Sequence, residues 1–296
     1  MEPRVVMKRL SRDITGRTPQ HPFYILLIVL LAGGCSFTPR AEIAARLARS
    51  GGLRHVEITA RPFVLTSFLR LSQKGRPVDV YIEGDGHAWL DRHTPSLDPT
   101  PDDPLGLKLA ARDDGANVIY LARPCQYSRM AAQTPCPLKY WTFARFSPTV
   151  IDAMNHALNV LKRRYGFAKI NLIGYSGGGA VAVLLAARRT DVASLRTVAG
   201  DIDSAAMQRI HDLSPLTGSL APEDAARAIA RIPQIHFIGG KDTVITPAIY
   251  QGYEAMAGQG ACVAGRIVSG AHHNSGWAHI WPSLLKMPLP ACGVSH

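Results

Sequence analysis

The stretch Lys169-Ile170-Asn171-Leu172-Ile173-Gly174-Tyr175-Ser176-Gly177-Gly178-Gly179-Ala180-Val181-Ala182-Val183-Leu184-Leu185 decides the fold. Residues 169–173 are a short, mostly apolar run with the length of a buried strand, and residues 179–188 have the composition of an apolar helix. Between them lies Gly-x-Ser-x-Gly. Small residues on both sides of a serine let a strained strand-to-helix turn form and let the helix approach closely, so that the hydroxyl projects above the carboxyl edge of a sheet. The first amides of the helix point to the same place and favour developing negative charge. A glycine-rich phosphate loop is the competing reading. It needs Gly-Lys-Ser/Thr or Gly-x-Gly-x-x-Gly, and the chain has neither here. Ser176 is therefore the candidate nucleophile.

Outward from this stretch, short β-rich runs alternate with helical ones. Strands are expected at 56–58 and 63–71, as an antiparallel start, and then at 78–82, 117–121, 169–173, 195–199, 235–238 and 263–268. Helices are expected at 105–111, from Pro148 through Leu161, and at 179–188, 225–229, 249–256 and 278–285. This order predicts an α/β fold with a mostly parallel central sheet flanked by helices. Four prolines at 95, 99, 101 and 104 mark an irregular excursion, and 124–148 reads as a long loop. With 47% apolar and 19% charged residues over 296 positions, the chain can bury a large core and is not a disordered segment. Neither a repeat nor a linker divides it.

Residues 1–22 are basic and polar, and Phe23 to Ala32 are ten consecutive apolar residues. Ten helical residues rise about 15 Å, half of a hydrocarbon core of about 30 Å, so this segment fits the apolar region of a secretory signal rather than a transmembrane helix. Ala32-Gly33-Gly34 then precede Cys35 and Ser36, which resembles a bacterial lipobox; Ala32 stands where that pattern usually has Leu. The resemblance implies a signal peptide over 1–34, lipidation of Cys35, an anchor-proximal segment at 35–53, and an outer-membrane lipoprotein facing the periplasm or outside. An ordinary cleaved signal and a soluble periplasmic protein are the alternative.

Export permits disulfides. Cys125, Cys136, Cys262 and Cys292 allow three pairings; proximity favours Cys125 with Cys136, which would leave Cys262 with Cys292 to staple the tail. Four buried thiols are the other reading. No Cys-x-x-Cys occurs, and His272, His273 and His279 form no metalloprotease helix motif, so neither a metal nor any other cofactor is expected. The net charge of +11 is spread along the chain without a nucleic-acid-binding motif, which argues against nucleic acid as a partner.

These features together resemble the α/β-hydrolase superfamily over about residues 54–288, within a single domain at 54–296. More narrowly, the chain is similar to a group of bacterial lipoprotein hydrolases. The similarity rests on Tyr81-Ile82-Glu83-Gly84-Asp85-Gly86, Arg123-Pro124-Cys125-Gln126-Tyr127, Cys136 followed by Trp141-Thr142, the Ser176 turn, Asp242, and His273 through Trp277. The resemblance implies a Ser-His-Asp triad in that fold's order, with the acid after a late strand and the histidine last. Asp242, just past the strand at 235–238, is the expected acid, with Asp201 and Asp203 as competitors. Adjacent His272 and His273 both follow the last strand. The family's spacing, a glycine three before the histidine and a tryptophan four after, selects His273 through Gly270 and Trp277.

The oxyanion hole would use the amide of Gly177 and one from the loop after 78–82. Many relatives have His-Gly there, where this chain has Glu83-Gly84-Asp85-Gly86. Alignment on the glycine gives Asp85, with Gly86 next and a plain turn as the other reading. The implied activity is hydrolysis of an ester, thioester or amide in a small-molecule or lipid acyl substrate. A non-catalytic binding scaffold and an acyltransferase with the same triad are the alternatives. Tyr127, Tyr140 and Trp141 could line the pocket or pack within the 124–148 loop.

Overall fold

The structure is a computed structural model that describes residues 39–127 and 136–292. The expected signal segment and Cys35 lie outside the described residues. Among the described residues, no helix is long and apolar enough to cross a membrane.

Eight strands form one sheet: β1 (Arg54–Ala60), β2 (Phe63–Leu71), β3 (Val78–Ile82), β4 (Asn117–Leu121), β5 (Ile170–Tyr175), β6 (Val192–Val198), β7 (Gln234–Gly239) and β8 (Val263–Val268). Their order is β1-β2-β4-β3-β5-β6-β7-β8. β2 runs antiparallel to both of its neighbours, and every other pairing is parallel. The chain steps from β3 out to β4 and then back across β3 to β5. Such a reversal opens a crevice at the carboxyl ends of the strands, where ligands of open α/β sheets bind.

The helices are α1 (Arg40–Ser50), α2 (Leu105–Ala111), α3 (Pro148–Tyr165), α4 (Gly177–Ala186), α5 (Ser204–His211), α6 (Pro247–Ala257) and α7 (Trp281–Leu285). α3 begins with proline in its first turn, where the missing amide costs nothing, and ends at Gly166, whose φ of 68° is the left-handed cap glycine adopts freely. Its buried face carries Val150, Ile151, Met154, Ala157, Leu158 and Leu161 at helical spacing. α4 is buried on every side and carries no charged residue, as a helix enclosed by the core requires.

Three elements differ from expectation. Residues 225–229 form no regular helix; a 3₁₀ turn at Glu223–Ala225 leads into further turns. α5 fills the stretch after β6, with Asp203 capping it through the Ala206 amide at 2.8 Å. In the segment expected to be anchor-proximal, α1 buries Ala44 and Ala48 and approaches α2 so closely that a Cβ at Gly51 would lie 2.5 Å from the Ala111 Cα. Residues 40–51 thus pack against α2 and β1.

Disulfides join Cys125 to Cys136 and Cys262 to Cys292. The first closes the loop after β4, and the second ties the segment after α7 to the start of β8.

Candidate active site

Ser176 occupies the sharp turn between β5 and α4 at φ 49°, ψ −124°. This is a strained conformation for a residue with a side chain. The turn is pinned on both sides: the Ser176 amide donates to Val198 O at 3.1 Å, and Ser176 O accepts from Gly179 N at 2.8 Å and Asp201 N at 3.0 Å. Glycine is required by close approach. A Cβ at Gly174 would lie 2.3 Å from Gly178 O, and one at Gly178 would lie 2.3 Å from Ile82 O.

The Ser176 hydroxyl lies 3.1 Å from His273 Nε2, and His273 Nδ1 lies 3.0 Å from Asp242 Oδ2. With the proton on Nδ1, the ring donates to the carboxylate and leaves Nε2 free to accept from Ser176. The other carboxylate oxygen accepts from the amides of Val244 at 2.7 Å and Ile245 at 2.9 Å. Burial alone would raise the Asp242 carboxyl. The bond and charge of His273 and the two amides outweigh it, so the group is held below its ordinary value and stays ionised. The acid loop and the histidine loop are tied by Gly240 N to Val268 O and Lys241 N to Ala271 O. The Trp277 indole pins the histidine loop by donating to His272 O at 2.7 Å and His273 O at 3.3 Å.

The competing acids stand elsewhere. Asp201 is buried, accepts from Ser204 Oγ and faces Arg145; burial pushes it up to about 6. Asp203 caps α5. His272 is exposed beside the ring that meets Ser176.

Gly177 opens α4, and its amide has no acceptor among the described residues; the same holds for the Asp85 amide. Gly84 lies against Ser176, since a Cβ there would be 3.2 Å from Ser176 Cβ. The Asp85 carboxylate packs over Gly177, where a Cβ would meet it at 2.2 Å. It is held by Arg123 Nη1 at 3.1 Å and Arg145 Nε at 3.0 Å, and both guanidiniums lie over the Phe146 ring.

Further groups fix this loop. The carboxylate of Glu83 accepts from the amides of Gly84, Gly106 and Leu107 and from Tyr120 Oη, while burial keeps its pKa above the ordinary value. Gln126 accepts from Arg123 N at 3.0 Å and donates to Gly84 O at 2.9 Å. Its neighbours Cys125 and Tyr127 both have positive φ, so the turn tied off by the Cys125–Cys136 bridge aims Gln126 inward.

Sequence reasoning assigned no role to Arg145, Gln126 or Glu83. Gln126 and Glu83 stand inside quoted motifs, whereas Arg145 has no local signal. The aromatics of the 124–148 loop pack rather than line the Ser176 cavity. Trp141 is buried and donates to Ser96 O, Tyr140 meets Phe63 edge-on, and Tyr127 is mostly buried. The cavity at Ser176 holds about 310 Å³ and is bordered by Gly86, His87, Asp102, Asp103, Tyr175 and Asn274. Among the described residues, no three His, Cys, Asp or Glu side chains are grouped to hold a metal.

No family model matches the chain. No curated protein matches it either. Solved structures do. An esterase from Pyrococcus furiosus aligns at 15% identity over 79% of this chain and 90% of its own, with a TM-score of 0.56. An α/β serine hydrolase homologue from Coxiella burnetii aligns at 14% over 78% and 93%, with a TM-score of 0.50. An acylaminoacyl peptidase from Pyrococcus horikoshii aligns at 11% over 75% of this chain and 37% of its own, with a TM-score of 0.55. At these identities the likeness is one of architecture, and it agrees with the strand order and the turn at Ser176: the chain has the α/β-hydrolase fold.

Proposed function

We propose that the protein is a serine hydrolase that cleaves an ester, or a thioester or amide, through an acyl-enzyme on Ser176. The observation that carries this reading is the continuous relay from Ser176 Oγ to His273 Nε2 at 3.1 Å and from His273 Nδ1 to Asp242 at 3.0 Å. His273 takes the hydroxyl proton as Ser176 Oγ attacks the substrate carbonyl, and the amides of Gly177 and Asp85 receive the oxyanion. The imidazolium, stabilised by ionised Asp242, gives that proton to the leaving alkoxide. Water then enters; His273 takes its proton, the hydroxide attacks the acyl carbon, and collapse returns the proton to Ser176 with release of the carboxylic acid.

Export and lipidation of Cys35 belong to the same reading. Two disulfides support an oxidising compartment. The test is fluorophosphonate labelling. Wild type should be labelled stoichiometrically and Ser176→Ala should not. An unlabelled wild type, or equal labelling of both, would remove the enzyme reading and favour a binding scaffold.

A further inference from the structure

Eight large apolar side chains are strongly exposed among the described residues, and six of them stand around the catalytic edge. Leu90 and Leu97 lie on the excursion after β3, Phe143 and Leu138 on the segment before α3, and Ile210 and Leu213 at the end of α5. All three segments leave the carboxyl ends of strands, as Ser176 does. They are joined by the Trp89 ring against Phe143 at 5.6 Å, by Trp141 Nε1 donating to Ser96 O, and by Arg92 donating to Asp212 O at 2.9 Å. Leu97 and Leu90 are the most prominent on this edge, 77% and 61% exposed. Single exposed leucines need no explanation, but their concentration around one site does.

The path of the chain indicates what covers this edge. α1 packs on α2, and its first residue, Arg40, reaches the catalytic rim. Arg40 Nε lies 2.6 Å from Asp102, which borders the Ser176 cavity, and Nη1 lies 3.5 Å from Asp98, the neighbour of Leu97. Four residues lie between Cys35 and Arg40, so five Cα steps join them. Fully extended, they span at most about 18 Å. A lipid on Cys35 therefore holds the rim close to the headgroup layer. Of the carboxylates at this rim, Asp102 is paired with Arg40 and His87 and Asp103 with Lys108, while the exposed Asp91 beside Leu90 accepts from the amides of His93 and Thr94.

We infer that the catalytic mouth faces the membrane that holds the anchor, that Leu90, Leu97 and their neighbours dock on that bilayer, and that the substrate is an ester-bearing lipid drawn from it. This rests on the serine-hydrolase reading and on lipidation of Cys35.

The experiment uses the full lipidated chain in vesicles of phosphatidylethanolamine and phosphatidylglycerol. Leu97→Trp adds an indole whose emission should be blue-shifted, and it should be quenched about twofold or more when the acyl chains are brominated. No added quenching relative to wild type overturns the docking surface. Leu90→Asp with Leu97→Asp should hydrolyse a short soluble p-nitrophenyl ester within about twofold of wild type. The same variant should lose on the order of tenfold or more against a fluorogenic acylglycerol in the vesicles. Equal effects on the two substrates, a wild type that turns over only the soluble ester, or no fatty-acid incorporation at Cys35 each overturn the inference. A quenched Leu97→Trp whose Ser176 resists fluorophosphonate would instead remove the hydrolase reading and with it the lipid substrate, while leaving the docking surface standing.

Discussion

Asp242→Asn isolates the contribution of one charge and one hydrogen. Its effect follows from the bonds around the carboxylate. Oδ1 accepts from the amides of Val244 and Ile245, and the side chain is fully buried. In the asparagine variant the carbonyl oxygen must stay at that position, because turning the NH₂ toward two amide donors would leave buried donors unpaired at about 1–3 kcal/mol each. The NH₂ is thereby aimed at His273 Nδ1, 3.0 Å away. The ring must then accept there and carry its proton on Nε2, pointed at a serine 3.1 Å away that now has no base.

Fold and packing are kept while the tautomer is reversed. The expected loss in kcat is on the order of 10⁴-fold, about 5.5 kcal/mol of transition-state stabilisation. The assay is kcat on an activated ester, with thermal unfolding as the control for folding. Asp242 also contributes stability above the unfolded carboxyl value of about 3.9, lost as pH falls through its lower folded value, so the variant's stability deficit should shrink on acidification. A variant that folds and keeps more than about a tenth of wild-type activity would refute the relay, most sharply if Asp201→Asn were inactive instead.

His273→Ala should fall by a similar factor on the same ester, whereas His272→Ala, which loses an exposed ring, should stay within about tenfold; the reverse result would reassign the base. Asp201 has a folded value of about 6, above its unfolded value near 3.9, so its stabilising protonated form is complete below about 3.9 and lost as pH rises through 6. Asp201→Asn should therefore gain on the order of 2 kcal/mol over wild type between pH 4 and pH 7 in denaturant titrations, and a constant difference would contradict it. Removing the Cys262–Cys292 bridge, whose partners are 30 residues apart, should cost about 3–4 kcal/mol of unfolding free energy under non-reducing conditions; an unchanged denaturation midpoint would show that the bridge does not form.

Much of this was legible because local signals and global packing coincide. The eight strands were visible as apolar runs, and the turn at Ser176 was visible because its glycines are forced by contacts of 2.3 Å that no side chain could share. The pairing of Cys125 with Cys136 could be read from separation alone. What escaped depends on the tertiary arrangement. α1 buries only the small side chains of Ala44 and Ala48 fully, with Leu47 partly buried beside them, and its packing is visible only when α2 is brought against it. Arg145 meets Asp85 across 60 residues of sequence, with no periodicity to mark it. The stretch 225–229 has helix-favouring residues, yet after Pro222 it closes into a 3₁₀ turn and further turns.

The departure from His-Gly at the oxyanion loop has a physical resolution in that same contact. A bare carboxylate packed over Gly177 would oppose the anion that the proposed mechanism places there. Two like charges about 4 Å apart interact by about 4 kcal/mol at an effective dielectric constant of 20, enough to cancel the benefit of an oxyanion donor. Asp85 avoids this because Arg123 and Arg145 both engage it, at 3.1 and 3.0 Å. Asp201 then faces Arg145 from the other side at 4.0 Å, so two acids and two guanidiniums balance beside the Ser176 turn. The Asp85 side chain thus becomes a tether for its own backbone amide. Gln126 and Glu83 hold the preceding residue from two further directions. The loop needs no histidine at position 83 to be rigid; buried ion pairs and a disulfide-bounded glutamine hold it.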